Sequence, residues 1–402
     1  MRVAYLSPCW PHDRIANGIA TYVASVRGGL AQRGVESCVL TSEMSEEETD
    51  PAIVRVPDAL AGASFGTRVL NRVAASLSRN LRIQRGWGDR VGRTLASLDA
   101  ERPIDLFELE ETFGIASVVR KHFRKPIVVR LHGPYCVIGP MLGHRRDKEF
   151  RVRCATEYRA IRSATVVSSP ATDALDRVRA FYGLELPNAR VIPNPAPDVD
   201  EAQAWSEADH RPDSLLFVGR FDRVKGADIL LEGFKRLAAR HPNVRLDFVG
   251  PDAGLRQGAR NLSLEEFLRE NVPAEVQRRI VFHGAQTKEQ VAAHRRTAAI
   301  TVVSSRYETF PMTVLEAMAS GCPIVAPRTG GVNEMIVHEA NGLTFEAENP
   351  QALATEVERL LADPAWASSL GAAARADARS RFSVEAVAEQ TEDFYREVIG
   401  RG

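Results

Sequence analysis

Short apolar runs alternate with amphipathic stretches along the first half of the chain. Residues 2–6 (RVAYL), 36–41, 53–56, 104–108, 126–131 (PIVVRL) and 164–168 (ATVVS) predict strands, and stretches such as 19–33 (IATYVASVRGGLAQR) predict helices between them. Strand–helix alternation of this kind predicts a parallel sheet covered on both faces. The pattern breaks at 192–213 (IPNPAPDVDEAQAWSEADHRPD), where four prolines and many acids read as a linker. It then restarts. Residues 214–219 (SLLFVG), 243–250, 279–284, 298–304 and 323–327 predict strands, with helices over 226–240, 287–296 and 311–320. The final stretch, 383–399, predicts an amphipathic helix opened by Ser383, with Glu385 in its first turn. The expected fold class is α/β: two doubly wound parallel-sheet domains, residues 1–195 and 214–382, joined by a linker over 196–213. Ligands in such sheets bind beyond the carboxyl ends of the strands, so the tandem arrangement predicts a cleft with one substrate on each wall.

Composition narrows the class. The chain has 402 residues, 44% hydrophobic and 26% charged, which excludes collagen, a disordered tail and a disulfide-dense miniprotein. Lys and Arg number 52, as do Asp and Glu, so net charge is zero and a nucleic-acid partner is not expected. The balance is uneven along the chain: residues 1–200 carry 28 bases against 23 acids, a net +5 that the second half offsets. Five cysteines, at 9, 38, 136, 154 and 322, include no C-x-x-C pair, so reduced thiols in a cytoplasmic protein are expected. Pro8 comes too early for a signal-peptide core, and no apolar run approaches the ~20 residues that cross a bilayer.

The candidate chemistry lies in 305–321 (SRYETFPMTVLEAMASG). Pro311 suits the first turn of a helix and Gly321 its end, which puts Glu308 in the preceding loop and Glu316 one to two turns inside. Amides near 309–313 have no intrahelical partner, and with the helix dipole they form an anion site. The two carboxylates beside it can accept hydrogen bonds from sugar hydroxyls. They could also be a loop acid and a solvated helix acid, but their placement around Pro311 just after a strand favours function. A phosphate there needs cations, and 219–226 (GRFDRVKG), directly after a strand, offers Arg220 and Lys225. A basic pair at a strand end is the expected design for holding a diphosphate without a metal.

With these residues placed, the chain resembles the retaining glycosyltransferases of family 4 (glycosyl transferases group 1), which have the GT-B fold. The spacing of Glu308 and Glu316, the GRFDRVKG and GGVNE (330–334) segments, the linker VIPNPAPDVD and the strand–loop PIVVRLHG carry the resemblance over nearly the whole chain. It implies that the closing helix, 383–402, completes the first, acceptor-binding domain. It implies that Arg220 and Lys225 hold the donor diphosphate, Glu316 the nucleotide ribose, and Glu308 the donor sugar. Thr309, Phe310, Pro311, Met312 and Thr313 would line the sugar and phosphate through their backbone. His132, in RLHGPY, matches a histidine near the reacting centre. Gly18 matches a glycine-rich turn under the diphosphate; relatives often have two glycines where this chain has Asn17-Gly18, and Asn17 is expected to tolerate that turn's dihedrals. The implied substrate is a nucleotide-diphosphate sugar, UDP- or GDP-linked. The implied acceptor is a glycan or lipid-linked hydroxyl in bacterial surface polysaccharide or glycoconjugate synthesis. A natural-product glycosyltransferase, a nucleotide-sugar epimerase and a sensor without turnover are the alternatives.

Other features carry less. Asp198-x-Asp200 lies in the Pro-rich linker and reads as solvated. His283-Gly284 ends a strand where a nucleotide base could lie, and the remaining histidines show no metal-ligand spacing. Glu108, Glu110 and Glu111 end a strand and either touch acceptor hydroxyls or form an acidic loop. Residues 66–98 carry seven Arg against Asp89, with Val69, Leu70, Val73, Leu77 and Leu81 as an apolar stripe. Such a helix could lie on an anionic membrane at the inner face of the plasma membrane, or pack on the core with a solvated basic face.

Overall fold

A computed structural model describes residues 1–11, 17–57, 78–258 and 260–401. The chain divides into two units, Met1–Asn194 with Val384–Gly402, and Pro195–Ser383.

The first unit is built on a seven-stranded parallel sheet: β1 (Arg2–Trp10), β2 (Glu36–Met44), β3 (Ile53–Arg55), β4 (Leu106–Glu110), β5 (Ile127–Arg130), β6 (Val166–Ser169) and β7 (Arg190–Val191). Its order is β3-β2-β1-β4-β5-β6-β7. Val3, Tyr5, Val39, Leu106 and Val128 bury one face of the sheet beneath α1 (Gly18–Gln32) and the C-terminal helix Val384–Gly400. The two helices come close because Gly29 has no side chain: a Cβ there would lie 2.8 Å from both Val384 Cγ1 and Ala388 Cβ. Asn17 caps α1, accepting from the amides of Ile19 (2.9 Å) and Ala20 (3.2 Å).

Of the Arg-rich stretch, 66–77 lies outside the described residues, and with it Val69, Leu70, Val73 and Leu77. Ser78 caps α2 (Arg79–Glu101). This helix buries Asn80, Gln84, Gly88, Val91, Gly92 and Leu95. Gly88 sits against Ile115 and Val118, and Gly92 against His122. Its buried face is therefore a packing face, while Arg90 lies over Trp87 and Arg93 pairs with Asp89. No described helix is long and apolar enough to cross a membrane. The first unit also contains α3 (Tyr135–Met141), α4 (Lys148–Ser163) and α5 (Thr172–Tyr182).

The second unit holds a six-stranded parallel sheet: β8 (Arg211–Val218), β9 (Arg245–Val249), β12 (Ile280–Gly284), β13 (Ala298–Val302), β14 (Ile324–Pro327) and β15 (Leu343–Phe345), with β10 (Leu255–Gln257) and β11 (Arg260–Leu262) as a separate antiparallel pair. The order is β12-β9-β8-β13-β14-β15. Helices α6 (Ala227–Arg240), α7 (Leu264–Asn271), α8 (Lys288–Thr297), α9 (Met312–Ser320), α10 (Pro350–Ala362) and α11 (Pro364–Arg381) cover it. Leu215, Phe217, Leu246, Phe248 and Ile300 alternate inward beneath α6 and α10. The stretch read as a linker is shorter than its composition suggested, because β8 already begins at Arg211. Before it, Trp205 Nε1 donates to the Ala298 carbonyl at 2.6 Å.

Each sheet reverses its strand order once, between β1 and β4 in the first unit and between β8 and β13 in the second. In the second unit, the segments leaving these two strands are the GRFDRVKG loop and the Glu308 loop.

Candidate functional site

β8 ends at Val218, and the loop after it is organised by Asp222. One carboxylate oxygen accepts the Lys225 amide at 2.7 Å, and the other accepts Arg220 Nε at 2.7 Å. A single acid thus bends the loop and aims one cation of the pair. Gly226 closes the turn at φ +65°, where a Cβ would fall 1.9 Å from the Ser304 carbonyl oxygen. Only glycine lets the β8 loop press so closely on the end of β13. Ser304 Oγ lies within reach of the Lys225 (3.0 Å) and Gly226 (2.9 Å) carbonyls. The Arg306 amide donates to Val224 O at 2.9 Å, and its guanidinium grips both Asp228 oxygens at 2.7 and 2.8 Å.

This pressing brings Lys225 to Glu308. Lys225 Nζ donates to Glu308 Oε1 at 2.6 Å, and Ser305 Oγ donates to the same oxygen at 2.7 Å. A lysine ammonium has three donors, so two remain. Arg220 is half exposed, and its terminal nitrogens have no partner among the described residues. The Glu308 carbonyl accepts from the Gly331 amide at 3.0 Å. Gly330, at φ +49°, passes so near that a Cβ would lie 2.1 Å from that carbonyl oxygen.

Thr309, Phe310 and Pro311 follow into α9. Thr309 is buried and its Oγ1 has no partner among the described residues. Phe310 packs edge-on against Phe382, with ring centroids 5.6 Å apart. Pro311 is the N-cap, and no side chain caps the helix. The first described intrahelical bonds run from Val314 and Leu315 to Pro311 O, so the amides of Met312 and Thr313 precede the helical ladder. Gly321 ends α9 in the left-handed conformation, as its place in the sequence predicts. Within α9, Glu316 Oε2 accepts from Arg295 Nη2 at 2.9 Å. Arg295 belongs to α8 and is 4% exposed.

In the first unit, His132 follows β5. Its amide and that of Gly133 donate to the two oxygens of Glu111, at 2.9 and 2.7 Å. Its ring meets Tyr22 edge-on at 5.0 Å. Burial, and then the Arg130 charge, hold the imidazole well below its usual pKa. Burial and Glu157 push Glu111 up to about 8. Gly18 is the first residue of α1, and a Cβ there would meet nothing within 4 Å. Asn17, expected to tolerate unusual dihedrals, has an ordinary extended φ of −137°, with its side chain serving as the cap.

Glu108 leaves the set of acceptor-facing candidates. It is buried and accepts from Tyr22 and Tyr395 hydroxyls, both at 2.9 Å. Glu110 keeps one carboxylate oxygen, Oε2, without a partner among the described residues. Asp198 and Asp200 are exposed. His283, by contrast, folds against Asp247 and His294, which its sequence spacing did not suggest.

The fold therefore assembles Arg220, Lys225, Glu308 and the Thr309–Thr313 backbone at one place, with Glu316 on the helix they open. The sequence alone assigns no role to Asp222, Ser305, Arg295 or Gly330, although Asp222, three residues before Lys225, has the spacing at which a capping side chain meets a backbone amide.

Residues 198–377 match the glycosyl transferases group 1 family, and residues 17–195 match the glycosyl transferase 4-like domain. The chain belongs to the group 1 glycosyltransferases of the GT-B type. Among its relatives, a D-inositol 3-phosphate glycosyltransferase of Nocardiopsis dassonvillei is 27% identical, with the alignment covering 89% of this chain and 85% of the relative. Among solved structures, the sucrose-phosphate synthase of Thermosynechococcus elongatus superposes with a TM-score of 0.75 at 23% identity, covering 100% of both chains. Anabaena HepE, crystallised with UDP-glucose, gives 0.68 at 15% identity over 99% of this chain and 100% of its own. At these identities the two structures establish the fold alone.

Proposed function

We propose that the chain transfers a glycosyl unit from a nucleotide-diphosphate sugar to an acceptor hydroxyl, with retention at the anomeric carbon and no metal at the diphosphate. The observation that carries this reading is the Lys225–Glu308 pair, held at 2.6 Å where β8 and β13 diverge, with Arg220 on the same loop. The free donors of Arg220 and Lys225, with the amides of Met312 and Thr313, form a cationic seat for two phosphates.

In the reaction, the bond from the anomeric carbon to the diphosphate oxygen breaks, and negative charge grows on the leaving group. Arg220, Lys225 and the mouth of α9 stabilise that charge more than they stabilise the ground state, which lowers the barrier. The acceptor oxygen bonds to the same face, and its proton leaves on the diphosphate. Glu308 orients hydroxyls of the transferred sugar, and Glu316, steadied by Arg295, takes the ribose hydroxyls. His132, held neutral by burial and the Arg130 charge, is the match to the family's histidine near the reacting centre, and Gly18 leaves open space at the start of α1.

The donor is UDP- or GDP-linked, a reading supported by the UDP-glucose bound to HepE. The acceptor is a glycan or lipid-linked hydroxyl of bacterial surface polysaccharide or glycoconjugate synthesis, reached in the cytoplasm. The name carried by the Nocardiopsis relative puts D-inositol 3-phosphate on the acceptor panel as well. The test is a donor panel assayed for acceptor-dependent release of nucleoside diphosphate without added Mg²⁺ or Mn²⁺, with the product's anomeric configuration read by NMR. An inverted product, or turnover only with a divalent ion, defeats the corresponding part of the reading. An isomerised donor without any larger product would make the chain an epimerase.

A further inference from the structure

Asp247 on β9, His283 at the end of β12 and His294 on α8 converge beside the sheet edge, using none of the residues at the diphosphate seat. Their candidate ligand atoms all lie within 4.8 Å of one another. Asp247 is 7% exposed, and its two oxygens are divided between two tasks. One accepts from Arg211 at 2.8 Å, while the other faces His283 Nε2 at 2.7 Å. The two imidazoles stand 4.3 Å apart between centroids, and the His294 ring nitrogens have no hydrogen-bond partner among the described residues. Arg211, His283, His294, Gln286, Gln290 and Thr297 border an open cavity of about 460 Å³.

We propose that Asp247, His283 and His294 form a binding site for one divalent transition-metal ion, best suited to Zn²⁺. Two imidazoles are borderline donors and the carboxylate oxygen a hard one, a mixed set that this ion accepts, and three protein ligands leave a fourth position for water. The cavity supplies room for that water. The Arg211 bond to the second carboxylate oxygen is the kind of outer contact that orients a ligating carboxylate. On binding, the His283–Asp247 hydrogen bond is exchanged for two metal bonds, with the His283 proton on Nδ1. A tetrahedral ion needs its ligands about 3.3 Å apart, so the site closes by side-chain rotation of two half-buried histidines.

The ion would tie together three elements. β12 is an edge strand whose one strand neighbour among the described residues is β9, and α8 carries Arg295, the partner of Glu316. An ion here therefore clamps the sheet edge to the helix that steadies Glu316.

The test uses the full chain freed of metal by chelator and dialysis. Titration with Co²⁺, followed by visible absorption, and with Zn²⁺, followed by calorimetry, is expected to show one equivalent bound at micromolar Kd or tighter. Zn²⁺ should also raise the melting temperature. His294→Ala and His294→Gln should each weaken Zn²⁺ binding at least tenfold and abolish the thermal shift. Circular dichroism checks the folding of each variant, and the Gln variant keeps a polar side chain at this site should the Ala variant unfold. No saturable binding by the unmodified chain, or unchanged affinity in a folded variant, overturns the proposal.

Discussion

The buried guanidinium of Arg295 meets the Glu316 carboxylate at 2.9 Å, so an acid one turn inside α9 is held by a cation from α8. Neither residue is free to choose another rotamer without breaking the pair. A carboxylate fixed in this way would lose little entropy on accepting the two ribose hydroxyls proposed for it.

Glu316→Gln should raise KM for the nucleotide sugar about tenfold or more, with a smaller effect on kcat. Arg295→Met should raise the same KM less, and should cost about 2 kcal/mol of stability because Glu316 loses its partner. Steady-state kinetics and urea unfolding check both. An unchanged KM in Glu316→Gln removes the ribose assignment.

Lys225→Ala removes a cation from the proposed diphosphate seat and leaves the Glu308 carboxylate with Ser305 as its one partner among the described residues. The expected loss is at least about tenfold in kcat/KM, or about 1.4 kcal/mol of transition-state stabilisation. Asp222→Asn should act in the same direction, since Asp222 holds both the Lys225 amide and Arg220. Turnover at the original rate in either variant would mean that the diphosphate binds elsewhere.

Gly28 and Gly29 are adjacent in α1 but should respond oppositely to alanine. At Gly28 nothing lies within 4 Å of the new methyl, so Gly28→Ala gains about 1 kcal/mol of helix propensity. At Gly29 the methyl meets Val384 and Ala388 at 2.8 Å, so Gly29→Ala destabilises. Two melting curves decide the matter.

Glu110 yields a pH signature. Burial raises its pKa to about 7 in the folded chain, and one of its oxygens has no partner among the described residues. The folded state therefore holds this proton more tightly than the unfolded chain. Glu110's contribution to stability is complete below about pH 4.5 and is lost as pH rises through about 7. Glu110→Gln should thus gain in melting temperature over the parent protein between pH 5 and pH 8. A constant gap across that range would contradict the burial of this carboxyl.

The sheets were legible because a strand buried on both faces is an apolar run, and PIVVRL, SLLFV and AAITVV all are. The two-residue β7 is too short to stand out. Pro311 and Gly321 bracketed α9 to within a residue, because both act through backbone geometry that the amino acid itself dictates. The partners of the site were less legible. Asp222 and Ser305 act on residues two or three positions away, in loops whose shape folding sets. Arg295 matters only through what folding brings near it, and it sits in an HRR run that reads as a solvated helix face. Glu108 failed in the other direction: its strand-end position suggested exposure, but Tyr395, 287 residues away, covers it.

That long-range hydrogen bond has a consequence for how the protein is made. The helix Val384–Gly400 is translated after the entire second unit, yet it supplies Tyr395 to the interior of the first. A nascent chain stopped at residue 383 would leave the Glu108 acid short of one hydroxyl and the α1 surface around Gly29 bare to water. The amino-terminal unit therefore cannot finish folding as it emerges from the ribosome, and must wait for nearly the last residues to be added.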